Sequence, residues 1–496
     1  MSTVAARPQW IGIDLGTQSI RVLAADENGR VTAAGSAPLH GKRDGVRHEQ
    51  DPEEWWSAVG AASRQALASV DTSGVRAVAV DATSGTILLA DDQLRPRTPA
   101  LMYDDARAQT EAVTVNDAGG HVWAELGYAR MQPSWALPKL LWLLRHRPDL
   151  GAEPRIRMLH QADLITGRLA GATVPSDASH ALKSGYHLIE ERWPTDLLDS
   201  LSVPVGILPD VVRPGTTLGM VCDEAAAHTL LPAGTPVVAG MTDGCAAQLA
   251  AGALAVGSWN SVLGTTLVLK GVSDHIIRDP HGVVYCHRGT DGTWLPGGAS
   301  SAGAQIVSQR FRGADLDHLT AQAARLPYGP IAYPIVTPGE RFPFLAPSME
   351  PFVLGDVADD AEMFAAVMLG LACVERLCFD MLAELAAPVD GHVCFTGGGT
   401  RNRYWCQLRA DLLDRQVILP EHAEPALGMA VLAATTDGTS IRQAADRMVR
   451  PDTQLSPRRR EQPALFDRYG TFVDQIAERG WLSPEVADVA HRRIPR

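Results

Sequence analysis

The chain has 496 residues, a formal net charge of −13 and 46% hydrophobic residues. That length accommodates two to four domains at ~100–200 residues each, and the acidic balance excludes a general nucleic-acid binder, which presents a basic surface. No apolar run approaches the ~20 residues that span a bilayer, so no membrane association is expected.

Seven scattered cysteines without a C-x-x-C pair fit a reduced, cytoplasmic protein. The segment MSTVAARPQW has no long apolar stretch, so no secretory signal is expected. The basic stretch Arg447 to Arg460 reads as a solvated loop.

In chain order, Trp10 to Asp14 reads as a strand, Gly16-Thr17 as a turn and Ile20 to Ala25 as the returning strand. Asn28-Gly29 marks a second turn, and Val31 to Ala37 a third strand. Asp51 and Pro52 suit the N-cap and first position of a helix that carries Trp55, Val59, Ala62 and Ala66 at helical spacing. Val75 to Val80 and Thr86 to Leu89 read as further strands. The second half repeats the opening unit, with a strand–Gly-Thr–strand hairpin at 257–270. A buried helix follows at 360–385. The strand Val393 to Thr396 then runs into Gly397-Gly398-Gly399 and a helix from Arg401 to Leu413. The boundary between the two α/β lobes falls between 245 and 256, which divides the chain into 8–248, 249–440 and a helical extension at 441–496.

The P-loop pattern and the protein-kinase signatures are absent. Phosphates therefore need another cradle, and two Gly-Thr hairpins, one per lobe, can supply inward N–H groups and hydroxyls. Each hairpin alone also reads as a plain β-turn. Asp14 at the end of a buried strand beside the first hairpin can hold Mg²⁺. The triple glycine suits either a tight strand-to-helix turn or close approach to a nucleotide, with Asn402 and Trp405 beside it. Asp243 reads either as a helix cap or as a reactive carboxylate at the carboxyl edge of a sheet, where α/β proteins place ligands. No zinc pattern or nucleophile elbow is present, and His160, His180 and His287 read as satisfied structural histidines.

These residues, in this order, resemble the FGGY carbohydrate kinase family. The markers are IGIDLGTQSIR from residue 11, HEQDPEEWW at 48–56, LMYDDAR at 101–107, AGMTDGCAAQLAAGAL at 239–254, SVLGTTLVLK at 261–270, GERFP at 339–343, GGGTRNRYW at 397–405 and EPALGMA at 424–430. The resemblance spans roughly residues 10 to 440. It implies an α/β, actin-like ATPase fold of two ribonuclease-H-like lobes with a cleft between them. It also implies the cofactors ATP and Mg²⁺ and the roles of individual residues. Asp243 matches the catalytic base and Asp14 the acidic residue near Mg²⁺. Thr17 matches the first phosphate turn and Gly264, Thr265 and Thr266 the second. Gly398, Gly399, Asn402 and Trp405 match the adenosine region.

Within the family the chain is similar to the D-ribulose kinase branch of plants and cyanobacteria, through DATSGTILLAD at 81–91, LHQADLITGRLAG at 159–171, SDASHALKSGY at 176–186 and LPGGASSAGA at 295–304. Ordinary xylulokinases resemble Q-M-H-G where this chain has Ala82-Thr83-Ser84-Gly85. Thr83 and Ser84 are therefore expected on the sugar, with Asp105 and Arg107 as candidates for the same side. The expected reaction is phosphorylation of D-ribulose to D-ribulose 5-phosphate, with D-xylulose or another sugar or polyol as the alternative acceptor. An actin-like assembly or chaperone ATPase is the rival of a different class, and Asp243 with Thr83-Ser84 argues against it. A homodimer is compatible with the sequence.

Overall fold

The computed structural model describes residues 7–495. Strand β1 (Gln9–Leu15) is buried at every position, as befits a strand covered on both faces. It turns through Gly16 to Gln18 into β2 (Ser19–Asp26), its antiparallel partner, with Leu15 opposite Ile20. β3 (Val31–Pro38) pairs antiparallel with β2. Helix α1 (Pro52–Leu67) starts where the sequence predicts. Asp51 accepts the Glu53 N–H at 3.0 Å, and Pro52 occupies the first turn, where it forfeits no hydrogen bond. Trp55, Val59, Ala62 and Ala66 face the core together with Ile13, Val22 and Val80.

β4 (Val75–Ala82) lies parallel to β1, with Asp14 beside Asp81 and Leu15 beside Ala82. An inserted hairpin layer follows, in which Ile87–Asp91 pairs antiparallel with Ile156–His160. It leads into α2 (Gln161–Ala170) and the single turn α3 (Ala178–Ala181). β5 (Thr217–Met220) and β6 (Pro236–Val238) complete the first sheet, in the order β5-β6-β4-β1-β2-β3. β6 is parallel to β4, and an isolated bridge between Ala82 and Thr242 continues their pairing. Helix α4 (Asp243–Ala251) begins immediately after it. β1, β4 and β6 thus deliver their carboxyl ends to one edge.

The second sheet repeats this plan. β7 (Trp259–Leu263) pairs antiparallel with β8 (Leu267–Gly271) and parallel with β9 (Val393–Thr396). β9 is parallel to β10 (Val417–Pro420), which is antiparallel to β11 (Pro451–Leu455). The run β8-β7-β9-β10-β11 has the pairing senses of β2-β1-β4-β6-β5, so each sheet is a ribonuclease-H-like unit. Helix α5 (Asp360–Glu384) is buried along most of its length. Between it and α6 (Arg403–Leu413) lies a wholly buried ion pair, Arg409 with Glu375 at 2.7 Å, which also reaches Ser261 on β7.

Two compact units result. The first contains the chain up to Gly252 together with His287–Leu295 and His422–Arg450, and the second contains Ala253–Cys286, Pro296–Glu421 and the residues from Pro451 onward. The stretch 422–440, assigned to the second lobe by sequence order, therefore packs in the first unit. The helix Pro425–Ala433 is apolar on all sides and lies against β1 and α4 at backbone distance. A Cβ on Gly12 would stand 1.7 Å from the Ala426 carbonyl oxygen, and one on Gly428 2.0 Å from that of Ala246. Only glycine permits these approaches. The residues beyond 450 likewise form no separate body, since they supply β11 and two helices, Gln462–Glu478 and Pro484–Arg492, to the second unit. Among the described residues no helix is long and apolar enough to cross a membrane.

Candidate active site

The first unit gathers three carboxyl groups at one sheet edge. Asp14 and Asp81 sit side by side in the β1–β4 register. Asp243 follows Thr242, which bridges to Ala82. Asp81 is fully buried, and no N–H or O–H of another residue donates to either of its oxygens. Burial, the charges of Asp14 and Asp243, and a hydrogen bond to Asp14 hold its pKa well above the usual carboxylate range. Two carboxylates cannot hydrogen-bond without a proton between them, and burial with two like-charged neighbours favours the protonated form at Asp81. Asp14 is pushed up to about 6 by burial and by the charge of Asp243, with a smaller push from Glu424. The hydrogen bond from Asp81 and the charge of Arg21 work against that rise.

Asp243 is half-buried and opens the first turn of α4, where its Oδ1 accepts the Gly244 N–H at 2.7 Å. The positive end of the helix favours its anion. Its neighbour across the Ala82–Thr242 bridge is the loop Thr83–Thr86. Thr83 Oγ1 donates to Gln161 Oε1 at 2.8 Å and lies 2.6 Å from Thr86 Oγ1. The Ser84 hydroxyl is buried and has no hydrogen-bond partner among the described residues.

The Gly16-Thr17 turn is held from behind. Gln50 Nε2 donates to the Thr17 carbonyl at 2.7 Å, and the Trp55 indole donates to Gln50 Oε1 at 2.7 Å. Thr17 itself is half-buried at the turn. In the second unit, Gly264 N–H donates to Thr266 O, while Ala304 N–H and Gln305 N–H donate to Gly264 O and Thr265 O. Gly303 must lack a side chain, because a Cβ there would lie 2.2 Å from Thr265 O. The glycine turn abuts this second hairpin. Cβ atoms on Gly397 and Gly399 would collide with Leu263, the last residue of β7, whereas one on Gly398 would meet nothing within 4 Å. Gly398 thus presents bare backbone to open space, next to the Gly264–Thr266 turn.

Asn402 and Trp405 stand behind that surface. Asn402 caps α6 through the Trp405 N–H at 2.9 Å, and its amide donates to Thr320 Oγ1 at 2.8 Å. Trp405 is 3% exposed, and its indole N–H donates to Met368 O at 3.0 Å. Its ring face is core, which suits support of the glycine turn rather than a stack on a base. Asp105 is also an anchor. It is fully buried, accepts the His48 N–H at 2.7 Å and binds the Arg107 guanidinium at 2.6 Å.

Four groups at this edge were given no part in the site by sequence reasoning: Asp81, Gln50, Gln161 and the segment 176–184, whose His180 was read as structural. Asp81 carried a legible signal, because like Asp14 it is an aspartate closing a buried strand. The others lay inside conspicuous motifs whose purpose only the fold reveals.

A hard divalent cation fits the donor set. Asp14 feels the negative charges of Asp243 and Glu424 and the opposing charge of Arg21, and Asp81 feels Asp14 and Asp243. Among the described residues no group of three or more His, Cys, Asp or Glu side chains forms a ready-made metal cage. Mg²⁺ is ordinarily held by one or two carboxylates together with phosphates and water, so such a cage is not required.

The model for the N-terminal domain of the FGGY family of carbohydrate kinases matches residues 9–250, and that for the C-terminal domain matches residues 259–436. A xylulose kinase from Bacillus subtilis (strain 168) is 28% identical over 485 residues, covering 92% of this chain and 95% of the relative. A xylulose kinase from Streptomyces rubiginosus is 31% identical over 441 residues, covering 87% and 89% respectively. The crystal structure of a xylulose kinase from Rhodospirillum rubrum superposes with a TM-score of 0.85 at 25% identity, covering 95% of this chain and 98% of that one. The chain belongs to the FGGY family of carbohydrate kinases, with the actin-like fold of two ribonuclease-H-like units.

Proposed function

We propose that this kinase transfers the γ-phosphoryl group of ATP to the terminal O5 hydroxyl of a ketopentose, with Asp243 as general base. The observation that carries the reading is the position of Asp243: half-buried, at the start of α4, across the Ala82–Thr242 bridge from Thr83-Ser84. A carboxylate there accepts the hydroxyl proton as oxygen bonds to phosphorus, while the bridging oxygen leaves with ADP. Phosphoryl transfer asks for positioning and charge neutralisation more than for covalent help. Thr17 and the Gly264–Thr266 turn are assigned to the phosphates. Gly398 and Gly399 are assigned to adenosine, with Asn402 and Trp405 keeping that turn in place. Asp14 is assigned to Mg²⁺, which when bound would offset phosphate charge. Dependence on ATP and seven unbridged cysteines support a cytoplasmic setting.

D-Xylulose is the acceptor that the relatives' names support. D-Ribulose, the acceptor expected from the sequence, keeps one specific observation in its favour: Ser84 brings a short hydroxyl, with no hydrogen-bond partner among the described residues, where ordinary xylulokinases resemble Q-M-H-G. A coupled ADP-release assay across D-xylulose, D-ribulose, L-ribulose, ribitol and glycerol separates them. The highest kcat/KM on D-xylulose establishes the first acceptor and the highest on D-ribulose the second. ADP release that no sugar stimulates refutes the kinase reading.

A further inference from the structure

The segment 176–184 touches both strand ends that carry the site, through side chains with no part in phosphoryl chemistry. Asp177 Oδ1 accepts the N–H groups of Ser179 at 2.9 Å and His180 at 3.0 Å, and so starts α3. Its Oδ2 faces His180 Nδ1 at 2.6 Å, and His180 Nε2 faces the Ala82 carbonyl at 3.3 Å. A carbonyl oxygen only accepts, so Nε2 bears hydrogen. Burial opposes a charge on this imidazole, but Asp177 and Asp163 outweigh it and raise its pKa above the usual value. Ser179 Oγ accepts the Thr242 N–H at 3.0 Å and lies 3.1 Å from Thr242 Oγ1. Lys183 Nζ donates to the Ser84 carbonyl at 3.2 Å. The end of the segment is tied down by Ser184 Oγ on His160 Nε2 at 2.8 Å.

These contacts supply what the sheet lacks. β6 ends at Val238, so only the Ala82–Thr242 bridge continues strand pairing toward the start of α4. Thr242, the N-cap residue of that helix, makes no side-chain cap bond of its own. Ser179 is thus the polar side chain that fixes Thr242, the residue immediately before Asp243, through its N–H and its hydroxyl. On the facing strand, His180 holds the peptide before Thr83 and Lys183 the one after Ser84.

We propose that Asp177–Ser184 is a positioning clamp, in which Ser179 sets Asp243 while His180 and Lys183 set the Thr83-Ser84 acceptor loop. The inference rests on the kinase reading above. None of these side chains is assigned a contact with sugar or nucleotide.

The test is steady-state kinetics of the full-length protein on its best ketopentose. His180→Gln keeps a donor near the Nε2 position toward Ala82, whereas His180→Asn keeps one near Nδ1 toward Asp177 and abandons Ala82. Both disturb a buried pair, so melting temperature does not distinguish them. The clamp requires kcat/KM for sugar to fall ~10-fold further in the Asn form than in the Gln form, with the KM for ATP within about twofold of the unsubstituted enzyme. Lys183→Met, at a half-buried position, raises sugar KM ~10-fold with little change in kcat, and Ser179→Ala lowers kcat ~10-fold with little change in sugar KM. Equal kinetics for the two His180 variants, or losses that fall equally on ATP KM, overturn the clamp. An unsubstituted enzyme inactive on every ketopentose overturns the ketopentose reading on which the clamp rests, and an active one whose variants match it overturns the clamp alone.

Discussion

Asp14 pairs a functional assignment with a cost in stability. Its folded value of about 6 lies above its ordinary 3.8, so the folded protein binds an extra proton between those pH values. The contribution of this group therefore favours the fold below pH ~4 and is lost as pH rises through about 6. Asp14→Asn removes the repelled charge. The ligand-free variant is expected to be more stable near pH 7.5, by on the order of 1–3 kcal/mol, with a flatter stability profile between pH ~4 and ~6. Urea denaturation across that range measures both, and unchanged stability near pH 7.5 would show that Asp14 is not under strain. Asp243 calls for a different readout. Asp243→Asn keeps the side-chain volume and an oxygen for the Gly244 N–H, but it cannot take a proton. Turnover should fall ~10²–10⁴-fold while ATP binding, followed by calorimetry, persists. Near-normal turnover would remove Asp243 from the base role.

At the scale of elements, local chemistry foretold what local chemistry decides. The Asp51-Pro52 start of α1, the Gly16-Thr17 and Gly264-Thr265 hairpins and the strand before Gly397 were all readable, because caps and turns depend on neighbours in sequence. Asp105 was not readable, since nothing in LMYDDAR says that its carboxylate lies under Arg107 and the His48 amide. Trp405 was placed correctly at the start of a helix, but the direction of its ring depends on α5, whose Met368 carbonyl receives the indole N–H. The buried pair Arg409–Glu375 is of the same kind, because it joins α5, α6 and β7 across large sequence separations. Arg409→Ala leaves Glu375 buried without its cation, so a loss of ~3–5 kcal/mol in denaturant unfolding is expected. A loss below about 1 kcal/mol would mean that Glu375 takes up a proton at little cost.

At the scale of the molecule, the duplicated sheet divides the proposed ligands between units. The acceptor loop and Asp243 belong to the first unit, while the Gly264–Thr266 and Gly397–Asn402 turns belong to the second. Hydrogen exchange reads this division directly. ADP alone should protect 264–266 and 397–402, and a ketopentose alone should protect the amides of 83–86 and 242–245. Protection of 83–86 by nucleotide alone, with none at 397–402, would reverse the assignment. The twofold plan was legible as two Gly-Thr hairpins, but the assignment of residues 422–450 to the first unit was not. The helix Pro425–Ala433 is apolar all round, so its pattern names no partner.

That helix also sets an order of events during synthesis. β1 leaves the ribosome well before the chain that packs at backbone distance on Gly12, which is made ~400 residues later, after on the order of 20–80 s of elongation at typical rates. Throughout that interval the nascent first unit exposes the apolar face reserved for 425–433. The protein therefore cannot mature one half at a time from its N-terminus. A ribosome stalled before residue 425 carries an open sheet, and a fragment ending at Gly252 keeps the same exposed face.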